Sequence, residues 1–356
     1  MDVLTIVGAR PQFVKAAVLS RAFQKLGVQE KILHTGQHYD AAMSDVFFEE
    51  MEIPKPAFNL DVHGVGHGAM TGRMLEGIEQ ILLDEQPKVV LVYGDTNSTL
   101  AGALAASKLH VPVVHVEAGL RSFNMNMPEE VNRILTDRIS TLLFTPTQTA
   151  TNNLHQEGYG NLDISIHQSG DVMEDAAKFY AAKLDDKPSK LEQLPEEFAL
   201  VTCHRAENTD AEDNLKAIVA ALNEIHSTLP IVLPLHPRTK AKLAAFGLNL
   251  NVHLIEPVGY FDMIRLLKGA KCILTDSGGL QKEAYFFKKP CVTMRDETEW
   301  VELVQAGVNR IVGANKEAIC TAVRDFLSMD MDFSKDLYGG GNAGDKMAKI
   351  IQEKLL

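Results

Sequence analysis

The chain has 356 residues, which is too long for one hydrophobic core and fits two domains of about 170 residues each. Apolar residues make up 46% of it and charged residues 23%, so a packed core in water is expected, while a net charge of -12 argues against a nucleic-acid surface. Any anionic ligand must then be held by local clusters of Arg, Lys and backbone N–H groups. No stretch is long and apolar enough to cross a bilayer, and the first apolar run is short and breaks at Gly8, unlike a signal peptide. Cys203, Cys272, Cys291 and Cys320 show no C-x-x-C pairing and read as reduced core thiols of a cytoplasmic protein.

The first predicted element is an apolar strand, 4–7, running into Gly8-Ala-Arg-Pro11. Pro11 suits the first position of a helix, and Phe13, Val14, Ala17, Val18, Ala22 and Leu26 then recur at helical spacing. Arg10 and Lys15 flank that helix start, where two cations add to the positive end of the dipole; the alternative is an ordinary solvated pair. Further strands are predicted at 31–35, 89–93, 113–116 and 142–145, with helical patterns between most of them. The strand at 89–93 ends in Tyr93-Gly-Asp-Thr-Asn-Ser98, the next in His115-Val-Glu-Ala-Gly-Leu-Arg121, and Met127-Pro-Glu-Glu-Val-Asn-Arg133 comes shortly after. Asp95, Glu117 and Glu129 thus fall on one predicted rim. Carboxylates sharing a cleft push some of their pKa values up, which equips one of them to move a proton near neutral pH. Taken singly, each has a plainer reading as a turn residue, a strand-end charge or a first-turn helix acid.

Between 171 and 195 Asp, Lys and Pro become frequent, and a helix near 172–184 followed by Asp185-Asp-Lys-Pro-Ser189 is the best linker candidate. Strands resume at 200–202, 231–234, 253–255, 272–275 and 291–294. Short apolar strands alternating with amphipathic helices imply parallel sheets covered on both faces, hence an α/β protein of two doubly wound Rossmann-like domains, about 1–170 and 171–340. Such sheets bind ligands beyond the carboxyl ends of their strands, so a two-domain version is expected to hold its substrate in the central cleft.

In the second half, Thr202-Cys-His-Arg-Ala-Glu-Asn208 and Leu235-His-Pro-Arg238 each come directly after a strand. His204, His236 and Arg238 there suit a diphosphate, with His204 able to hydrogen-bond or protonate a departing phosphate, although a lone strand-end histidine is more often structural. The next strand drives into Ser277-Gly278-Gly279 and a helix bearing Glu283. Free N–H groups at that turn suit a nucleotide diphosphate, the glycines allow close approach of an anion, and Glu283 sits where a carboxylate takes ribose hydroxyls. The plainer reading is a turn that needs φ > 0. Arg295 adds a cation after the last strand. His63-Gly-Val-Gly-His67 has paired histidines, but its glycines disfavour a helix and no third ligand is evident, so no metal is expected. No G-x-G-x-x-G, Walker loop or G-x-S-x-G elbow is present, and neither NAD, ATP nor the usual hydrolase is indicated.

In order, Gly-Ala-Arg-Pro-Gln-Phe-Val-Lys15, Thr35-Gly-Gln-His38, Tyr93-Gly-Asp-Thr96, His115-Val-Glu-Ala-Gly-Leu-Arg121, Pro128-Glu-Glu130, His204-Arg205 and Thr275-Asp-Ser-Gly-Gly279 resemble the non-hydrolysing UDP-N-acetylglucosamine 2-epimerase family over essentially the whole chain. The resemblance implies the GT-B fold shared with many glycosyltransferases, with the helix at 341–356 returning to the first domain. It also implies a homodimer that needs no cofactor, metal or NAD. The implied reaction is anti elimination of UDP to a 2-acetamidoglucal and re-addition with inversion at C2, for surface polysaccharide precursors. Carried over by position, Arg10 and Lys15 match a basic pair near the substrate, and Asp95, Glu117, Glu129 and His204 match catalytic residues. Ser277, Gly278, Gly279 and Glu283 match the UDP loop. Which carboxylate is the C2 base stays open.

Three positions depart from the family pattern: Tyr39 and Trp300 stand where arginines are usual, and Val258 where a glutamine is. With Ser122-Phe-Asn-Met-Asn126, they resemble the branch that acts on UDP-2,3-diacetamido-2,3-dideoxyglucuronate. That sugar nucleotide and UDP-N-acetylglucosamine are both expected substrates, and Tyr39 puts allosteric activation in question. A hydrolysing epimerase, a GT-B glycosyltransferase and a non-catalytic UDP-sugar binding protein are the rival readings.

Overall fold

The computed structural model describes residues 1–37, 48, 49, 51–191 and 193–356, and the chain forms two compact units. The first comprises 1–176 together with 336–356, and the second 177–335. His38 and Tyr39, singled out in the sequence, lie outside the described residues.

The first unit is built on seven parallel strands: β1 (Val3–Val7), β2 (Glu30–His34), β3 (Phe58–Asn59), β4 (Val89–Tyr93), β5 (Val113–Val116), β6 (Leu142–Thr145) and β7 (Ser165–Gln168), in the order β3-β2-β1-β4-β5-β6-β7. Strands β1, β4, β5 and β6 are buried along their whole length. This is why they read as largely apolar runs (Val-Leu-Thr-Ile-Val, Val-Val-Leu-Val-Tyr, Val-Val-His-Val, Leu-Leu-Phe-Thr) rather than as alternating patterns. One core layer packs Leu4, Ile6, Val90 and Val92 against Met74, Ile78 and Leu82 of the His67–Glu85 helix. On this sheet the order reverses direction between β1 and β4, and the crevice beyond their carboxyl ends is where ligands of doubly wound sheets sit.

The Arg10–Leu26 helix buries Phe13, Val14, Ala17, Val18, Ala22 and Phe23, and Gly27 closes it at φ 71°. The Ala343–Leu355 helix completes this unit by packing on it. A Cβ on Gly344 would come within 2.4 Å of Val18 Cγ1, so only glycine allows this approach. Asp175 accepts the N–H groups of Ala343 and Gly344 at 3.1 and 2.9 Å and thereby caps that helix.

The second unit repeats the design with six parallel strands: β8 (Ala199–Thr202), β9 (Ile231–Pro234), β10 (His253–Ile255), β11 (Cys272–Thr275), β12 (Cys291–Thr293) and β13 (Asn309–Ile311), ordered β10-β9-β8-β11-β12-β13. One face packs Val201, Leu274 and Val292 on Ile218, Leu222, Ile319 and Phe326; the other packs Leu200, Val232 and Ile273 on Leu266, Leu267 and Ala284. All four cysteines are buried and reduced in this unit.

Strands β3, β7 and β13 are not among those expected from the sequence. All lie at sheet edges, and their short or polar segments (Phe-Asn, Ser-Ile-His-Gln, Asn-Arg-Ile) carry little apolar signal. The helix expected over 172–184 stops earlier, at Ala181, and a short 3-10 turn, Leu184–Asp186, comes next. The segment expected to act as a linker is pinned within the second unit. Arg265 donates to the Leu184 carbonyl at 2.6 Å, and Asp262 accepts from Ser189 Oγ at 2.8 Å.

Candidate active site

The first unit holds a cavity of about 330 Å³ at the carboxyl ends of β1 and β4. Lys15, Asp95 and Glu129 line it together with Gln12, Asn97 and His67. The first three stand out in the sequence as site candidates, whereas Gln12 and Asn97 carry no charge or spacing signature of their own. Gln12 is the keystone of the floor. Its Oε1 accepts from the N–H groups of Gly8 and Ala9 at 2.8 and 3.1 Å, folding the third helical residue back onto the turn that precedes the helix. Its Nε2 donates to the Tyr93 carbonyl at 2.7 Å, so one buried amide ties the loop after β1 to the loop after β4. His67, which the sequence suggests only as half of a metal pair, instead has its ring 3.2 Å from Asn97 Nδ2.

Asp95 succeeds Gly94, which takes φ 64°, and precedes Thr96, the cap of the Asn97–Lys108 helix. It forms an ion pair with Arg133, whose second Nη donates to Glu130 at 2.6 Å. Asn132 Nδ2 donates to the Asp95 carbonyl at 2.9 Å. Burial alone would raise the Glu130 carboxyl, but the N–H groups of Ser122 and Phe123, with Arg133, hold it below its ordinary value. Burial likewise acts against charge on Arg133, and Asp95 and Glu130 overcome it, so the guanidinium is held above its ordinary value.

Glu117 ends β5 with φ 72°, a left-handed conformation that costs a non-glycine residue about 1–3 kcal/mol. Its carboxylate pairs with Lys15, and both side chains are almost buried. The same Oε2 would lie 3.3 Å from a Cβ on Gly94. Glu117 and Asp95 are therefore held at the ends of the paired strands β5 and β4. Arg10 opens the helix that carries Lys15 and is not among the residues lining the cavity.

The second unit presents a different assembly. The Gly278–Phe286 helix begins shortly after β11, with Ser277 as its cap residue. Neither Gly278 nor Gly279 has a positive φ, so a left-handed turn does not explain them. No heavy atom lies within 4 Å of where a Cβ on Gly279 would stand, which leaves that turn open to close approach. Beside Gly278, Arg295 makes two 3.1 Å contacts with Glu299, and Lys282 places its ammonium 4.0 Å from the centre of the Trp300 ring. Glu283 is buried on the same helix.

Asp276, fully buried, accepts the N–H groups of His204 and Arg205, both at 2.9 Å, and lies 3.4 Å from His204 Nδ1. The His204 and His236 rings stand 5.7 Å apart. Burial holds the His204 imidazole below its ordinary pKa; Asp276 opposes that shift, while His236 and Arg205 reinforce it. His236 Nδ1 accepts from the Arg238 N–H at 3.2 Å, which leaves the proton of a neutral ring on Nε2. The Arg238 guanidinium engages Thr209 and the Asp210 carboxylate.

Two Rossmann-like units, one carrying paired acids and cations beyond its strands and the other an open glycine turn at a helix start, define a GT-B enzyme of the nucleotide-sugar class. The chain belongs to the UDP-N-acetylglucosamine 2-epimerase family, whose model matches residues 21–352. It is an enzyme, a UDP-sugar 2-epimerase. It is 55% identical to the UDP-2,3-diacetamido-2,3-dideoxy-D-glucuronate 2-epimerase of Pseudomonas aeruginosa, over 99% of each chain. Among solved structures, the Methanocaldococcus jannaschii UDP-GlcNAc 2-epimerase, in complex with UDP-GlcNAc and UDP, is 42% identical with a TM-score of 0.86, covering 99% of this chain and 100% of that one. The Neisseria meningitidis UDP-GlcNAc 2-epimerase bound to UDP-GlcNAc is 31% identical with a TM-score of 0.87, at the same coverage. No helix among the described residues is long and apolar enough to cross a membrane.

Proposed function

We propose that this enzyme inverts C2 of a UDP-N-acetylhexosamine without net hydrolysis, with UDP-2,3-diacetamido-2,3-dideoxyglucuronate as its principal substrate and UDP-N-acetylglucosamine as the competing one. The observation that carries the chemistry is the pair of carboxylates, Glu117 and Asp95, each matched to a cation at the ends of adjacent strands. The 55% identical Pseudomonas aeruginosa relative supports the choice of sugar.

C2–H is a weak acid, so its removal needs a carboxylate aligned with the bond. One of Asp95, Glu117 and Glu129 takes the proton, the electron pair becomes a C1–C2 double bond, and the C1–O bond to UDP breaks. UDP oxygen then returns to C1 and a proton is delivered to the opposite face of C2. Inversion therefore requires a base on one face of C2 and a proton donor on the other. Arg10 and Lys15 supply positive charge near the sugar end. We assign UDP binding to the turn Ser277-Gly278-Gly279, with Glu283 on the ribose, and diphosphate contacts to His204, His236 and Arg238. A His204 that is neutral at pH 7, with Nδ1–H turned to Asp276, leaves Nε2 as an acceptor, able to take a hydrogen bond or a proton from the UDP phosphate. We further assign a homodimer, with the exposed Leu83, Phe123, Met125 and Leu135 of the first unit as candidate contacts, and a cytoplasmic location, consistent with four reduced thiols.

The test is incubation with each UDP-sugar in D₂O, followed by NMR. Deuterium at C2 of both epimers, with free sugar absent, is expected. Label-free product transferred to an acceptor would identify a glycosyltransferase, and free N-acetylmannosamine plus UDP a hydrolysing enzyme.

A further inference from the structure

Beneath the acids of the first unit runs a buried charge chain, none of whose charged side chains lines the cavity. Asp137, on the Pro128–Ile139 helix, and His115, on β5, are both fully buried, and His115 Nδ1 meets Asp137 Oδ1 at 2.7 Å. The other ring nitrogen, Nε2, donates to the Gly94 carbonyl at 2.7 Å. A carbonyl only accepts, so Nε2 carries a hydrogen and the ring is fixed with Nδ1 facing the Asp137 carboxyl. Asp137 Oδ2 accepts from Arg121 Nη1 at 2.7 Å and from the Gly119 N–H at 3.2 Å. Arg121 in turn makes a two-pronged pair with Glu157 at 2.7 and 2.8 Å.

These bonds fall on either side of the two acids. Gly94 immediately precedes Asp95, and Gly119 lies two residues beyond Glu117. The Ala118 N–H is held by the Phe144 carbonyl at 3.0 Å, and the Gly119 carbonyl by Asn153 at 3.0 Å. Gly119 has φ 78°, and a Cβ there would strike the Ala150 carbonyl at 2.4 Å. A left-handed glutamate persists only where its surroundings over-determine it, and here the constraints converge on Asp137. We propose that the buried His115–Asp137 pair is the positioning device of the reaction: it fixes the Gly94 carbonyl on one side and the Gly119 amide on the other, and so sets the Asp95 and Glu117 carboxylates relative to each other. This rests on the reading that those two carboxylates act at C2.

The test compares Asp137→Asn, His115→Gln and Glu117→Gln, measuring thermal midpoint, kcat, KM for the UDP-sugar turned over and the rate of deuterium entry at C2. Asp137→Asn keeps the volume but removes the charge that orients His115. A displacement of reacting groups on the ångström scale lowers kcat by on the order of 100-fold. Because the pair touches no substrate, KM is expected within about threefold of the parent, and deuterium entry falls in step with kcat. A folded Asp137→Asn enzyme with kcat within about threefold of the parent overturns the inference, as does a loss no larger than the loss of folded protein. Should Asp137→Asn not fold, His115→Gln decides: its amide can serve Gly94 or Asp137 but not both geometries, so at least a tenfold fall in kcat supports positioning and an unchanged kcat overturns it. If Glu117→Gln itself keeps full turnover, the underlying reading of the acids fails. If Glu117→Gln is inactive while the other two variants turn over normally, only the positioning role is lost.

Discussion

The two units share a sheet order and differ in what they place beyond it. In the first, polar and charged side chains brace one another: Lys15 with Glu117, Arg133 with Asp95 and Glu130, His115 and Arg121 with Asp137. In the second, the prominent feature is bare backbone, a helix that starts at two glycines with open space above Gly279. Proton transfer needs a few carboxylates held in one geometry, which demands a network around them. Holding a phosphate needs little more than outward N–H groups and room to approach them. On the proposed reading, one fold yields an acid–base platform and an anion cradle by changing only the loops and helix starts at the strand ends.

The division of labour can be broken most sharply at the acids. Glu117→Gln and Asp95→Asn are expected to lower kcat by about 1,000-fold, within the span of general acid–base contributions, while leaving UDP affinity by calorimetry within about threefold. A parallel collapse of UDP binding would merge the two roles. Next in size, Gly279→Val puts a branched side chain into the open turn and should weaken UDP by about 10- to 100-fold, or about 1.4–2.8 kcal/mol, with little change in thermal midpoint. Unaltered UDP affinity would remove the cradle from that turn.

A smaller effect concerns His204. Because its folded-state pKa lies below the unfolded value, the unfolded chain takes up the proton first as pH falls. The His204 contribution to stability is present above the ordinary histidine pKa near 6.5 and is lost as pH drops through the folded value. An NMR titration should give a His204 midpoint below that of a free histidine. Asp276→Asn removes the charge that opposes the shift and should move the midpoint lower still. A midpoint above the ordinary value would contradict the burial that sets it. The mildest test uses the thiols. Burial pushes Cys272 and Cys291 up to about 12, and all four cysteines belong to the second unit. Iodoacetamide is expected to leave the native enzyme unlabelled at pH 8, and labelling in denaturant then reports opening of the second unit alone. Fast labelling of native protein would mean that this unit opens locally.

Legibility from sequence divides along the same line between buried and peripheral pairing. Parallel strands buried on both faces announce themselves as apolar runs, so β1, β4, β5, β8 and β11 are legible, as are the polar residues at their ends. Edge strands β3, β7 and β13 are not, because half-solvated backbone pairing leaves no apolar run. The acids Asp95 and Glu117 stand out by position, and so does Lys15, but the other braces do not. Arg133 lies 38 residues beyond Asp95, Asp137 lies 22 beyond His115, and Gln12 bonds a carbonyl 81 residues away. Such pairings are set by strand register, which a linear reading does not contain. Gly278 and Gly279 admit two readings in the sequence, turn formers or room for a ligand, and the absence of a positive φ at either favours the second.

The Ala343–Leu355 helix has a consequence for biosynthesis. Because Gly344 seats directly against Val18 and Asp175 caps the incoming helix, residues 1–176 emerging from a ribosome have an unfilled face on the Arg10–Leu26 helix. That face stays bare until the intervening 177–335 has been translated and its partner arrives. Nascent chains must therefore keep Val18 and its neighbours from sticking elsewhere for the whole of that interval, and a message cut short before the Ala343 codon yields a first unit with an open seam.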